Sequence, residues 1–372
     1  MTDQDSFSVT APELSIDLSA IAENWRTFDS LTTAKTAAVV KANAYGTGMV
    51  EAARALERVG CGVFFVATPT EGAVLREALP GPPIYVLVGL IGGSERDYCE
   101  YDLIPVLNDL EQIGRWGSLC ARSGSRPAAV HVDTGMNRLG MHHRHVEALA
   151  GALKRWGIDL VLIMSHLACA DQPTHPLNAA QLERFRRVLR SFPGVDASLC
   201  GSAGVLLGPD YQFDLVRPGV GLFGGNPVRN LPTMVKHVVS VRAPILQVHS
   251  LADGDTAGYG ARYKANGTRV LATVGVGYAD GFPRTLSNRG IALVDGVPAP
   301  YAGAVSMDSI MLDVSEAGPV KGEVEMLGPG LTVDRLAELA GTIPNEILTG
   351  LGGRLARRHV GDRAGLVTRS SV

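Results

Sequence analysis

The stretch Ala38–Gly48, AVVKANAYGTG, decides how this chain is to be read. Three apolar residues run into Lys41, and small residues, a tyrosine and two glycines come after it. The apolar run reads as a buried strand. A lysine at its end is either paired or reactive, because burying an ammonium group without a partner carries a large desolvation cost.

The same pattern recurs downstream. The runs TAAVVK, GVFFVA, IYVLVG, LIPVLN, AVHVDT, LVLIMSH, SLCGS and LVRPGVGLF alternate with helically spaced stretches such as MVEAARALERVG, VEALAGALKRWG and AAQLERFRRVLRSF. Continuous apolar runs imply strands buried on both faces, hence a parallel sheet with helical crossovers. Eight such units predict an α/β fold with a (β/α)8 TIM-type barrel over residues 11–235. Beyond residue 235 the rhythm changes. VVSVRAPILQV, RVLATVGVGY, GIALVDGVPAPYAGAV and SIMLDV are strand-like and joined by Gly and Pro turns, which predicts a mainly β domain over residues 236–372.

Composition narrows the function. A chain of 372 residues exceeds what one core usually serves, in keeping with two domains. A net charge of −3 points to neither nucleic acid nor an anionic membrane. The cysteines (Cys61, Cys99, Cys120, Cys169, Cys200) are odd in number and form no C-x-x-C, which argues for a reducing compartment and against a zinc site. The polar N-terminus, MTDQDSFSVTAPELS, does not read as a signal peptide, and no apolar run is long enough to span a bilayer. The expectation is a cytoplasmic protein.

The unusual residues then fall at strand ends. Lys41 follows strand one, Asp133 and Arg138 strand five, His166 strand six, Ser202 strand seven, and Arg217 with the glycines of RPGVGLFG strand eight. In such a barrel the C-terminal strand ends form the catalytic face, with phosphate commonly bound after strands seven and eight. Any one of these side chains could be an ordinary partnered residue; five clusters converging on one mouth is much harder to obtain by chance. Lys41 could be a phosphate counter-ion. Its buried approach also suits an amine that loses its proton easily and forms a Schiff base. Pyridoxal phosphate needs such a lysine, a phosphate anchor and a partner for its ring nitrogen. Ser202 and the backbone near Gly219 can supply the anchor, and Arg217 the partner.

AVVKANAYGTG, VDTGMNRLG, MSHLACAD, FDLVRPGVGLFGGNP, AGYGARY, GYADGFPR and VSMDS resemble, in this order, the motifs of bacterial alanine racemases, which depend on pyridoxal 5'-phosphate. The resemblance implies a barrel plus a β domain to which N-terminal residues 1–10 contribute a strand. It also implies a head-to-tail homodimer with shared active sites. Lys41 would hold the cofactor, Tyr45, Ser202 and the backbone of Gly219 and Val220 its phosphate, and Arg217 its ring nitrogen. Arg138 and the Met307 N–H would hold the substrate carboxylate. Lys41 would serve as base toward D-alanine and Tyr259 of the partner subunit toward L-alanine. A free tyrosine titrates near 10, so at neutral pH only about one in a thousand is ionised; His166 and Arg217 are the groups that would lower this cost.

Tyr278, Asp171, Arg284 and Asp308 match the family's substrate entrance, although a surface ion pair explains Asp171 and Arg284 equally well. The cluster MHHRHVE (His142, His143, His145) reads as a solvated turn, with no metal site expected. The chain departs from the family at His131, where many members carry a carbamylated lysine, and at Thr47, Gly201 and Ala304. The implied activity is interconversion of L- and D-alanine, supplying D-alanine for peptidoglycan or serving alanine catabolism. The alternatives are a decarboxylase of basic amino acids on the related fold, disfavoured by Arg217 and Tyr259, and a non-catalytic cofactor carrier, disfavoured by the β domain.

Overall fold

The computed structural model describes residues 11–228, 232–320 and 322–361. The strand expected from residues 1–10 lies outside the described residues. The chain divides into two compact units, Ala20–Lys236 and a second made of Met1–Ser19 with His237–Val372.

In the first unit the apolar runs become parallel strands. The first strand is Lys35–Thr36 and Ala38–Val39, interrupted at Ala37. Phe64–Val66, Ile84–Val86, Ile104–Leu107, Pro127–Asp133, Asp159–Met164 and Asp196–Ser198 come next, in neighbouring order. The eighth, Leu215–Val216, pairs in parallel with Lys35–Thr36. Asp214 N–H donates to Ala197 O at 3.0 Å and Arg217 N–H to Cys200 O at 3.0 Å, so the seventh and eighth strands join and the ring closes. The barrel interior is filled by Ala37, Val39, Phe65, Tyr85, Val106, Ala129, Met164 and Leu215, among others, which makes it a packed core and not a pore. Amphipathic helices Met49–Arg58, Val146–Trp156 and Pro176–Leu189 realise the three helical stretches. SLCGS is not itself the seventh strand: that strand ends at Ser198, and Gly201 makes only a single bridge to Arg217.

In the second unit one long strand, Val239–Leu251, organises the sheet. It pairs antiparallel with Glu13–Asp17, Glu323–Leu327 and Arg269–Val274, and its register shifts between Ile245 and Gln247. Such a bulge bends a strand so that it can serve two sheet segments. Ile291–Val294 and Val297–Pro300 form a hairpin around Asp295-Gly296, both with positive φ, as a two-residue type I′ turn requires. Helices Val333–Ala340 and Pro344–Gly350 lead into Ala356–Val360, which runs parallel to Glu13–Asp17. Among the described residues no helix is long and apolar enough to cross a membrane.

Candidate active site

The chain leaves the first strand in a left-handed turn. Ala42, Asn43, Ala44 and Tyr45 all have φ between +52 and +55. This region costs about 1–2 kcal/mol per non-glycine residue, so the turn must be held. Ala44 N–H donates to Val40 O at 2.8 Å and Gly46 N–H to Ala42 O at 2.9 Å. The Asn43 side chain accepts the Met49 N–H at 2.9 Å. Glu71 accepts the Ala42 N–H at 2.6 Å through one oxygen and the Ala67 N–H at 2.7 Å through the other. One carboxylate thereby ties the segment carrying Lys41 to the end of the second strand. Burial lowers the Lys41 pKa, Arg138 lowers it further, and Glu71 opposes them.

Glu71 and Asp133 are the carboxylates near Lys41 and His131, and the basic groups beside them include Arg217, His166 and His131. Arg217 is 4 % exposed. It donates to Ser165 O at 2.6 Å, to the Ser198 hydroxyl, and to His166 Nδ1 at 3.5 Å. Burial pushes its pKa down to about 10, which still leaves it charged at neutral pH. Among the described residues its charge is answered by carbonyls and hydroxyls and not by a carboxylate. Burial first, then Arg217 and Arg138, push the His166 pKa down to about 3. His131 is lowered to about 4 by burial and by Arg217, with Asp133 opposing. Both imidazoles are therefore neutral at physiological pH.

His131 is buried, and its Nδ1 lies 3.2 Å from Asn108 Oδ1. The Asn108 amide donates to Val106 O at 2.9 Å, which turns its oxygen toward the imidazole. Burial opposes ionisation of Asp133, but N–H groups of Gly135, Asn137 and Met136 outweigh it and hold the carboxyl below its ordinary range. These contacts shape the loop that leads to the exposed Arg138.

A cradle forms where the seventh and eighth strands end. The Ser202 hydroxyl accepts the Gly219 N–H at 2.8 Å and the Gly221 N–H at 3.3 Å. A Cβ at Gly219 would stand 2.3 Å from the Tyr45 hydroxyl, so only glycine admits the phenol there. Val220 begins the next 3-10 turn, Val220–Phe223, and the Tyr45 ring stacks on Phe223 at 5.0 Å. Hydroxyls and backbone donors beside a depressed-pKa amine and a buried guanidinium fit the phosphate, aldehyde and ring nitrogen of pyridoxal phosphate.

The second unit carries its own cluster. Tyr259 opens the 3-10 turn Tyr259–Ala261 and is 73 % exposed. Tyr259, Met307, Asp308 and Ser309 line a cavity of about 670 Å³. The exposed Tyr278 is tied to this lining through the backbone: its N–H donates to Ser306 O at 3.0 Å, and Ala279 N–H donates to Met307 O at 3.1 Å. Arg284 is exposed outside this cavity lining, and Asp171 is exposed in the loop after the sixth barrel strand. His143 takes a loop contact, its Nδ1 lying 3.2 Å from Asp133 O.

The sequence reading missed Glu71, Asn108 and Gln181. Gln181 donates to His166 O at 2.9 Å and to Thr134 Oγ1 at 3.2 Å, tying the sixth-strand end to the fifth. Glu71 had a legible signal: it closes a capping box with Thr68. Nothing in the sequence indicated that its carboxylate also reaches Ala42.

The alanine racemase N-terminal domain model matches residues 16–227, and the alanine racemase C-terminal domain model matches residues 238–359. The biosynthetic alanine racemase of Agrobacterium fabrum is 43% identical, over 96% of this chain and 95% of that protein. The alanine racemase of Rhodospirillum rubrum is 45% identical, over 95% and 96%. Among solved structures, the Bartonella henselae alanine racemase with covalently bound pyridoxal phosphate superposes with a TM-score of 0.90 at 37% identity, over 94% of this chain and 99% of that one. The alanine racemase of Streptomyces coelicolor A3(2) gives 0.91 at 33%, over 95% and 99%. With a lysine on a held turn, a hydroxyl-and-backbone cradle, a buried arginine, and both domain models matched along nearly the whole length, the chain belongs to the alanine racemase family.

Proposed function

We propose that this enzyme, an alanine racemase dependent on pyridoxal phosphate, interconverts L- and D-alanine with two bases, Lys41 toward the D-enantiomer and Tyr259 of the partner subunit toward the L-enantiomer. The observation that carries the reading is the barrel mouth itself, where Lys41 has a lowered pKa beside the buried Arg217 and the Ser202–Gly219 cradle. When bound, pyridoxal phosphate supplies an electron sink for the pair left at the substrate Cα. Lys41 would hold it, and Tyr45, Ser202 and the backbone of Gly219 and Val220 would take its phosphate.

The chain's own residues tune that chemistry. Arg217 donates hydrogen bonds and accepts none, so it would leave the ring nitrogen without a proton and keep the sink weak. A weak sink favours rapid return of a proton to Cα, which suits racemisation. Burial, with Arg138 beside it, lowers the Lys41 pKa and so favours the neutral amine, the form that can accept a proton. Neutral His166, within 3.5 Å of Arg217, would link that guanidinium to the second base by hydrogen bonding without adding charge. Arg138 and the Met307 N–H would take the substrate carboxylate, with His131 behind Arg138 and Tyr278, Asp308, Asp171 and Arg284 at the entrance.

The exposure of Tyr259 supports a shared site in a head-to-tail homodimer, because a base this open needs a covering surface before water is excluded. The far half of the long strand also exposes Leu246 and Val248. The Agrobacterium relative is named a biosynthetic alanine racemase, which favours a biosynthetic role, the supply of D-alanine, over a catabolic one. The purified protein incubated with L-alanine should yield D-alanine and no carbon dioxide, and borohydride should fix the cofactor to Lys41. Carbon dioxide release, or label on Lys35, would overturn the reading.

A further inference from the structure

Three segments of the second unit are laced together beside the Tyr259 cavity. The turn 277–281 packs so closely on 306–308 that a Cβ at Gly277 would stand 2.2 Å from Met307 O. Gly352 N–H donates to Asp280 O at 3.2 Å, bringing the C-terminal segment against the same turn. From that segment Arg354 reaches both others. Its Nη1 lies 2.5 Å from Asp308 Oδ1, and its Nε lies 3.2 Å from Asp280 Oδ1.

The two carboxylates differ. Asp280 has a side chain only 2% exposed, and its other oxygen accepts the Gly277 N–H at 2.8 Å. A carboxylate this buried requires a counter-charge. Asp308 is 61% exposed and needs none for its own sake. Its pairing therefore does something other than neutralise a buried charge: it fixes the residue that follows Met307 in the chain. Fold maintenance accounts for the Asp280 arm of the bridge but not for the Asp308 arm.

We propose that Arg354 is a positioning residue, which uses the buried Asp280 as an anchor and the exposed Asp308 as a lever to hold the Met307 N–H at the substrate carboxylate. This rests on the reading of Met307 given above. A guanidinium spreads its charge over three nitrogens, so Arg354 can stand against both carboxylates at once, by an ion-pair contact with Asp280 Oδ1 and a hydrogen bond to Asp308 Oδ1; an ammonium group is a compact point charge and does not span the two in the same way. The Asp308 arm is also open to solvent, so salt screens it while the Asp280 arm persists.

The test uses the holoenzyme and three variants, Asp308→Asn, Arg354→Lys and Arg354→Met. Propionate is the probe for the carboxylate position, since it keeps the carbon skeleton of alanine and lacks the amine. Asp308→Asn should raise KM for alanine and Ki for propionate by about tenfold, as small displacements of a positioned donor do, with Tm near the native value. Arg354→Lys should raise both as much, with kcat and Tm near native values. Arg354→Met should raise KM and Ki as much and also lower Tm, because Asp280 loses its counter-charge. Raised salt should increase the native Ki for propionate and change that of Asp308→Asn far less.

A lowered Tm in Arg354→Met with KM and Ki unchanged in all three variants would mean that the bridge is only structural and would overturn the proposal. So would a fall in kcat with Ki for propionate unmoved. If propionate fails to compete in the native enzyme, the reading of Met307 itself has failed; native competition with unaffected variants rejects Arg354 alone.

Discussion

The proposed division of labour between Tyr259 and Lys41 can be read at each residue separately through the α-proton. Tyr259→Phe removes the proposed base toward L-alanine and leaves the Lys41 amine in place. Exchange of the L-alanine α-proton with solvent deuterium, followed by NMR, should fall by about a hundredfold or more, while exchange from D-alanine is reduced much less. Equal losses from both enantiomers would reject separate bases. Overall racemisation is no substitute, because catalysis leaves the equilibrium constant unchanged.

His131 allows a second residue-level test, through stability. Its folded pKa, about 4, lies below the free value near 6.5. The unfolded chain then binds a proton more readily than the folded one in that window. The contribution is complete above about pH 6.5 and is lost as pH falls toward 4, amounting to on the order of 3 kcal/mol. His166 acts with the same sign. Urea unfolding at about pH 7 and about pH 5 should show a smaller drop in His131→Leu than in the native chain. An identical drop would mean that His131 is not held neutral.

At the level of the element, the turn Ala42–Tyr45 has more backbone strain than a surface loop would bear. Ala42 is exposed, so its side chain can be changed with little effect on packing. Glycine there escapes the left-handed penalty of about 1–2 kcal/mol, offset in part by about 0.5–1 kcal/mol of extra chain entropy. Ala42→Gly should leave Tm equal to or above native and lower kcat/KM, because Lys41 is less firmly held. Ala42→Val should cost about 2 kcal/mol, since a β-branched residue tolerates this region poorly. Calorimetry on the two variants decides; a native Tm in Ala42→Val would show that the left-handed turn is not needed. The helix Pro69–Ala78 belongs to the same device, for its Glu71 both caps its own first turn and accepts the Ala42 N–H.

At the scale of the whole molecule, the residues read as one site divide between two compact units, Lys41 and Arg217 in one and Tyr259 and Met307 in the other. A site shared between subunits predicts complementation. Lys41→Ala and Tyr259→Phe chains, each inactive alone, should regain part of the native activity when their subunits are exchanged. One competent site per heterodimer would give at most about half the native rate per dimer. No recovery, with exchange verified by differently tagged chains, would mean that each chain completes its own site.

What could be read from the chain alone was whatever depends on local pattern. Apolar runs with helical spacing between them announced the barrel, because burial on both faces leaves a continuous hydrophobic signature; the seventh run, SLCGS, was displaced, since that strand is Asp196–Ser198. Once a barrel was expected, its geometry alone brought Lys41, Arg138, His166, Ser202 and Arg217 to one mouth. GIALVDGVPAPYAGAV reads as one strand-like stretch, and the structure folds it at Asp295-Gly296 into a hairpin whose turn residues suit positive φ. Other features depended on how distant segments meet. The left-handed turn has little local signal, since of Ala, Asn, Ala and Tyr only the asparagine visits that region readily alone; backbone N–H groups donating to the Glu71 carboxylate and the Asn43 side-chain oxygen hold it there. Asn108 facing His131, Gln181 reaching across to His166, and Arg354 spanning Asp280 and Asp308 are pairings between residues far apart in sequence or on different elements. A polar side chain's partner is set by where the packed backbone delivers it, and only the folded chain decides that.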